Sequence, residues 1–536
     1  MVNKMMIGKV LLFVYVFAFF ASQTTSLPLS TNKRWIVDAN SGERVKLACV
    51  NWVTHLQPML AEGLNKQPLS NIASQIANRG FNCVRFTWAT YMFTRYANHT
   101  VGDTIDNLNI PKMKAEIAKH NPFVLTMTHL QAYDAVIDEL GAHGIMVSLD
   151  NHVGKPGWCC SQDDDNGFFG DRHYDPEEWL QALAFIANHY KEKPQVIAMS
   201  LRNELRGPHQ NEHDWYKYVS EGARTIHKNN PKLLVLISGL NYDSDFSYLK
   251  KKPLDLEDLG NKLVYETHLY SFTAGAGSTW TAQPVNRVCA TTIQGLKDRA
   301  GFLMGGDNPT PLFMSEFGVN LEGSSQSDNL WLTCILAYIA GTDMDWALWT
   351  LQSSYYLREH HVDGDETFSI LDHEWKHLRN KEFPQRFQLV QKKNQEPISA
   401  LPKSHKMLHP LSGHCFKANN KNELELSDCL KGAGRWSFDG DGSPLRLMGT
   451  ATCLKVIGDG APAILSDDCL SQQSSWRRVS LAGLHLAARD ENGNQFCLEK
   501  VGDQILTKKC ICIEDDSKCM DNPQSQWFQL VPTNMD

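Results

Sequence analysis

The sequence predicts a (β/α)8 barrel followed by an all-β domain of three repeats. Three observations lead there. Between residues 35 and 390, short apolar runs alternate with amphipathic helical patterns. Those runs number eight. Past residue 410 the texture changes to short strands and turns in which Cys and Trp recur. Continuous apolar strands separated by helices require a parallel sheet covered on both faces. Eight strand–helix units over this length fit a closed barrel better than an open doubly wound sheet. At 536 residues the chain also exceeds what one ordinary core accommodates.

The chain opens with Lys4 and Lys9 ahead of an apolar run from Val10 to Ala21, followed by small and polar residues. This is the layout of a secretory signal peptide over residues 1–26, too short for an ordinary membrane span. An uncleaved signal anchor is the alternative. No other segment is long and apolar enough to cross a bilayer, so the expectation is a secreted, extracellular protein. Export suits the 14 cysteines, six before residue 340 and eight within 415–519. Hydrophobic residues make up 42% and charged residues 21%, the balance of a globular protein, and the net charge of −8 is spread without a basic run. A nucleic-acid partner is therefore not expected. Asn98-His99-Thr100 is a glycosylation sequon, whereas Asn308-Pro309-Thr310 is disqualified by its proline.

The strands are expected at VKLACVN (45–51), FNCVRFT (81–87), GIMVSLDNH (144–152) and VIAMSLRNE (196–204). LLVLISG (233–239), LVYETHLY (263–270), LFMSEFG (312–318) and DWALWT (345–350) follow. Between them, LSNIASQIANRG, HLQAYDAVIDELGAHG and PEEWLQALAFIANHYKEK carry apolar residues at three- and four-residue steps, the helical period. The barrel domain is expected over 27–391. Residues 392–410 are polar, contain prolines and lack periodicity, and read as a linker or loose connection. Residues 411–536 hold the three repeats. Each begins Cys-Phe or Cys-Leu (Cys415, Cys453, Cys497) and has a later Cys and then a Trp: Cys429 with Trp436, Cys469 with Trp476, Cys519 with Trp527. Units of this size are too small to stand alone, which suggests a threefold closed assembly.

Reacting groups in such a barrel sit at the C-terminal ends of its strands. The second strand ends in Arg85, the third in Asn151-His152, and the fourth in Asn203-Glu204. His268 and Tyr270 end the sixth, Glu316 the seventh, and Trp349 the eighth. Singly, each reads as a loop brace or a packing residue. Together they place two glutamates across the barrel mouth, and paired carboxylates are the minimum equipment for cleaving a glycosidic bond. A nearby Arg85 would favour the charged form of Glu316, Tyr270 could donate to the same carboxylate, and Trp349 offers a flat face to a sugar ring.

Over about residues 35–390 this set resembles glycoside hydrolase family 5, the cellulase family. The family's marks stand here as Arg85, His152, Asn203-Glu204, His268 and Tyr270, Glu316 and Trp349. The resemblance implies that Glu204 is the general acid/base and Glu316 the nucleophile of a retaining double displacement. It implies that Asn203 binds the sugar 2-hydroxyl, that His268 lies beside Glu204, and that His152 contacts the sugar being cleaved. No cofactor is implied, and the scattered histidines show no metal-ligand spacing.

The segment 155–179 reads as a long loop helping to wall the cleft with Trp158, Phe168 and Phe169. Its Asp163, Asp164 and Asp165 are read as a solvated acidic turn in preference to a calcium loop. Cys159 and Cys160 are free to bond to each other or to different partners, a choice sequence leaves open. Trp280 is a further candidate sugar platform.

The repeats resemble the ricin-type β-trefoil lectin module, over about 411–531. Where sugar-binding repeats usually carry Asp after the Cys-hydrophobic pair, this chain has Lys417, Lys455 and Glu499. The usual Gln two residues before each Trp is replaced by Gly434, Ser474 and Ser525. A structural or substrate-positioning appendage is the plainer expectation for this module. The whole reads as a secreted, monomeric retaining β-glycosidase acting on a β-linked glucan, mannan or β-glycoside. A transglycosylase using the same glutamates and a non-catalytic carbohydrate-binding protein on this scaffold are the alternatives.

Overall fold

Each of the eight apolar runs forms a strand. In the computed structural model, which describes residues 28–273, 277–513 and 519–535, these are β1 (Ala48–Trp52), β2 (Cys83–Ala89), β3 (Met146–Val153) and β4 (Val196–Ser200). β5 (Leu234–Ile237), β6 (Leu263–Tyr270), β7 (Leu312–Gly318) and β8 (Asp345–Leu348) complete the set. They are parallel and pair in chain order, and β8 returns to β1 to close the barrel. The expected signal segment 1–26 lies outside the described residues. No described helix is long and apolar enough to cross a membrane.

Period-two alternation decides what fills the barrel. At the N-terminal end the inward set is apolar: Cys49, Cys83, Met146, Ala198, Leu234, Val264, Phe313 and Ala347 share one buried cluster. An N-terminal hairpin, Leu29–Asn32 with Trp35–Asp38, adds Leu29 and Ile36 to it and plugs that end. Two residues further along six of the eight strands the inward set turns polar, with Asn51, Arg85, Ser148, Ser200, Glu266 and Ser315 all at 0% exposure. Most polar groups buried at that depth are hydrogen-bonded, and here Arg85 donates to Asn51 while Ser200 donates to Glu266. The outward set packs on the helices, for example Ile72 and Ile76 of Leu69–Asn78 and Trp179 and Leu183 of Pro176–His189.

A register shift aims the seventh strand. Glu266 pairs with Phe313 but His268 pairs with Glu316, and on the other side Trp346 pairs with Met314 while Leu348 pairs with Phe317. Both neighbours therefore see one extra residue in β7, a bulge that lets Ser315 and Glu316 both face inward.

The C-terminal region is all-β. Its own core gathers Phe416, Trp436, Leu454, Trp476 and Leu498, the residues the repeat pattern marks. The expected linker is tighter than its composition suggests. Ser404–His409 is a strand, pairing with Gln529–Thr533 near the chain's end. Glu396 accepts from the Arg44 backbone N–H (3.1 Å), and its own N–H donates to Asn534 (2.7 Å). Those partners lie far away in sequence, so local texture carries no trace of them.

All 14 cysteines pair, and none is free. Cys49–Cys83 joins β1 to β2, Cys289–Cys334 joins two barrel helices, and Cys159 bonds its neighbour Cys160. Cys415–Cys429 and Cys453–Cys469 close the first two repeats. In the third, Cys497 takes Cys510, and the insertion holds its own bond, Cys512–Cys519.

Candidate active site

Arg85 organises the mouth of the barrel. It lies within β2 rather than at its end, wholly buried, and its long side chain carries the guanidinium up to the rim. Nη1 donates to Asn51 (3.0 Å) and to Glu316 Oε2 (3.1 Å). Nη2 donates to Asn203 Oδ1 (2.9 Å) and lies 3.0 Å from Asp150. Burial opposes the guanidinium charge, but Asp150, Glu266, Glu316 and Asp243 outweigh it and hold the charge more firmly than usual. One planar fork thus fixes Glu316 and Asn203 together.

The two glutamates meet across this fork. An oxygen of Glu204, an oxygen of Glu316 and a His268 nitrogen all lie within 4.8 Å of one another. Tyr270 donates its hydroxyl to Glu316 Oε1 (2.6 Å). His268 Nδ1 is 2.9 Å from Glu204 Oε1, and its Nε2 is 3.1 Å from the Ser315 hydroxyl. Burial lowers the His268 pKa, with Glu316 acting against that shift.

Burial also pushes Glu204 up to about 7, against the pull of Arg206 and Arg85. Glu316 is raised as well: burial is the largest influence, and His268, Arg85 and Tyr270 work against it. The expected effect of Arg85 on Glu316 has the right sign, but desolvation outweighs it. Only Glu316 receives both a guanidinium and a phenol hydrogen bond, which sets it apart from Glu204 as the better-stabilised anion.

His152 stands on the other wall, 2.6 Å from Asp150 and stacked between His55 (centroids 4.0 Å apart) and Trp349 (5.8 Å). Burial, reinforced by Arg85, lowers the His152 pKa well below the usual imidazole value. Glu204, Glu316, His152, His268, Tyr270 and Trp349 all line one cleft of about 740 Å³. Arg85 and Asn203 lie directly behind them. Asn98 is exposed, and Thr100 of its sequon caps the next helix by accepting from the Asp103 N–H (3.1 Å).

Sequence reading missed the supports. Asn51, Asp150, Asp243 and Glu266 are buried polar groups around Arg85 and the two glutamates, and Asp243 accepts from the Glu204 backbone N–H (2.9 Å). Their signal was available for Asp150 and Glu266, since each is a charge inside an apolar strand run. Phe272, stacked on Tyr270 at 4.9 Å, also lines the cleft. Some cleft expectations fail. Trp280 is 0% exposed and packs in the main core, while Phe168 and Phe169 turn inward, Phe169 onto Trp179 and Tyr218. Trp158 does line the cleft, under the guanidinium of Arg358 (3.5 Å). Asp164 of the acidic turn pairs with Arg206, so that turn is partly internal.

A closed parallel barrel with facing carboxylates at its C-terminal mouth defines a class, the barrel glycoside hydrolases. The profile described as Cellulase (glycosyl hydrolase family 5) matches residues 44–354. A "Glycosyl hydrolase 5 family protein" from Chamaecyparis obtusa is 42% identical over 96% of this chain and 94% of its own length. An "Endoglucanase" from Paenibacillus polymyxa is 22% identical over 59% of this chain and 77% of its own. Among solved structures, the catalytic domain of the major endoglucanase of Xanthomonas campestris pv. campestris superposes with a TM-score of 0.54 at 23% identity, covering 68% of this chain and 98% of that one. This chain belongs to glycosyl hydrolase family 5 and is a glycoside hydrolase.

Proposed function

We propose that the protein is a secreted retaining β-glycosidase of the endoglucanase-like kind, with Glu316 as nucleophile and Glu204 as acid/base. The observation that carries this is the oxygen-to-oxygen approach of Glu204 and Glu316 within 4.8 Å. Retaining pairs stand about 5–5.5 Å apart, whereas inverting pairs stand about 6.5–9.5 Å apart to admit a water.

In the first step a Glu316 oxygen attacks the anomeric carbon while Glu204 gives its proton to the departing glycosidic oxygen. The C–O bond to the leaving group breaks as the bond to Glu316 forms. That bond removes the Glu316 charge, which makes Glu204 easier to ionise and fits it to act next as a base. Glu204 then takes a proton from water, whose oxygen attacks the same carbon and releases Glu316. Asn203, its carbonyl held by Arg85 and its amide nitrogen against only the weakly accepting Cys159 and Cys160 sulfurs, can turn an N–H to the 2-hydroxyl, a contact that strengthens in the transition state.

Relatives named as endoglucanases support β-linked glucan as the first substrate class to try. For the C-terminal region we favour a structural or positioning role. Lys455 is engaged by Asp468 (2.8 Å) and Glu499 by Gln526 (2.6 Å), so two of the three replaced sugar-binding positions are occupied internally. The test is proton NMR of the first product from a β-glucan oligosaccharide, with Glu204→Ala and Glu316→Ala alongside. Initial release of the β-anomer and loss of turnover by about 10³-fold or more in both variants are expected. Release of the α-anomer, or a fully active variant, would overturn the assignment.

A further inference from the structure

The Cys159–Cys160 disulfide is oddly placed for a structural bond. A disulfide stabilises chiefly by closing a loop in the unfolded chain, and more so for longer loops. The other six bonds span 7 to 45 residues, but this one joins neighbours and closes almost nothing. Its value must be local, in the surface it presents.

That surface lies in the cleft. Both cysteines line it and neither is fully buried. Their sulfurs lie within 4.8 Å of a Glu204 carboxylate oxygen, and Cys159 lies within the same distance of His55 and His152 nitrogens. The Asn203 amide nitrogen is 3.5 Å from Cys160 Sγ and 4.0 Å from Cys159 Sγ. The flanks are tied down, with Gly157 N–H donating to His55 O (3.2 Å) and Arg206 Nε donating to Ser161 O (3.0 Å).

We propose that this disulfide is a specificity-determining wall of the cleavage subsite, whose sulfurs limit the space around the sugar's 2-hydroxyl and so set discrimination between β-glycosides epimeric at carbon 2. The inference rests on the reading above, in which Asn203 receives that hydroxyl. A disulfide has no hydrogen to donate and is a weak acceptor, so a hydroxyl pressed against it gives up water for little return. The epimer that directs its 2-hydroxyl away from the sulfurs keeps the Asn203 hydrogen bond, and the other epimer meets the wall. Rejection of a misplaced hydroxyl by an apolar surface is worth up to about 10²-fold.

The experiment compares the full-length wild type with Cys159→Ala/Cys160→Ala and Cys159→Ser/Cys160→Ser. Each is assayed on dinitrophenyl β-cellobioside and dinitrophenyl β-mannobioside, after circular dichroism has shown that the variants fold. The quantity read is the ratio of kcat/KM for the two substrates, in which any common loss from a disturbed loop cancels. We expect the ratio to move toward unity by about tenfold or more in the alanine variant. The serine variant should move it differently, because its hydroxyls can bond the sugar. A ratio kept within about twofold in both variants would overturn the inference and leave the hydrolase reading intact. A wild type that cleaves neither substrate nor any β-glucan would sink the β-glycosidase reading of the site proposed above, and this inference with it.

Discussion

At the scale of single residues, the two glutamates share one buried enclosure but differ in partners, for Glu316 accepts from Arg85 and Tyr270 whereas Glu204 faces His268. Burial pushes Glu204 up to about 7, so it keeps its proton through most of the acidic range, and the acid form is what the proposed first step would consume. We therefore predict that kcat/KM falls as pH rises through about 7, and that the fall steepens to one proton per pH unit. A pH profile with no alkaline limb below about 8 would contradict the role.

The same shift bears on stability. A carboxyl raised from 4.5 to about 7 prefers its protonated form in the folded state. Its favourable contribution is complete below the unfolded value and is lost as pH rises through the folded one. At pH 8 the folded protein bears a cost of about 3 kcal/mol that Glu204→Gln removes. The glutamine variant should thus be inactive yet melt several degrees higher than wild type at pH 8, with the gap closing toward pH 4. Thermal scans at both pH values decide it.

Arg85 offers a second residue-scale prediction. Lysine keeps the charge but cannot hold Asn51, Asn203, Asp150 and Glu316 at once. Arg85→Lys should lower kcat by about 10²-fold or more, with a smaller change in KM. An unchanged kcat would show that the fork is not needed.

At the scale of elements, the strands were legible and the turns were not. All eight barrel strands fall where apolar runs stand in the sequence, because a parallel strand buried on both faces has no reason to alternate. The rim residues were legible too, since strand ends are fixed once the strands are. Arg85 is the exception that clarifies the rule, because a long side chain reaches the rim from four residues before the end of its strand. The bulge in β7 left no signature, although it lets Glu316 and Ser315 face the same way. Nor did composition separate Trp158, which faces the cleft, from Trp280, Phe168 and Phe169, which pack inward, since in a long loop no period distinguishes the two sides.

The least legible element is the turn after β5. Asn241, Tyr242 and Asp243 have φ of 53°, 60° and 55°, a left-handed run with no glycine in it. Glu204 itself has φ of 46° and donates its N–H to Asp243 Oδ2. Left-handed residues of this kind cost about 1 kcal/mol or more each, so the two turns hold one another in place. Asp243→Ala removes the acceptor, leaves the Glu204 N–H unpaired, and should lower kcat by about tenfold together with stability by about 1–3 kcal/mol. Asp243→Asn retains an oxygen acceptor and should restore most of the turnover. Equal losses in the two variants would mean that Asp243 acts through its charge rather than by holding Glu204.

At the scale of the whole molecule, the sequence separates two textures, whereas the structure shows them sharing a core. The helix Gln326–Thr342 is buried from Leu330 through Ala340 without a break, and a helix apolar all round must be covered on every side. The C-terminal region supplies part of that cover. Trp527 donates its indole N–H to Asn286 (2.9 Å) and packs in the barrel's core cluster, not with Trp436 and Trp476. Gln524 donates to Thr333 (2.6 Å) on the same helix, and Gly341 lies so close to Gln529 that a Cβ would sit 2.6 Å from its amide nitrogen.

Gly413 tests this shared interface without touching the cleft. It has φ of +71°, and a Cβ there would lie 2.1 Å from the Gln385 carbonyl oxygen and 2.6 Å from the Arg386 Cα. Both are backbone atoms of the last barrel segment, so nothing flexible can yield. Gly413→Ala must strain its own turn and also push the β region off the barrel, a loss of about 2–4 kcal/mol, or several degrees in melting temperature. Because residue 413 makes no contact with the cleft, kcat per folded molecule should stay near the wild-type value below the transition. A chain ended at residue 391 should go further, exposing Asn286, Thr333 and the apolar helix face together, and should aggregate rather than fold as a free barrel. If that shortened chain melted within about 2 °C of the full protein, the two regions would be independent after all, and the Trp527 and Gln524 contacts would be incidental. If it failed to fold while Gly413→Ala kept its turnover and lost only stability, the β region would be part of the barrel's covering, whatever else it binds.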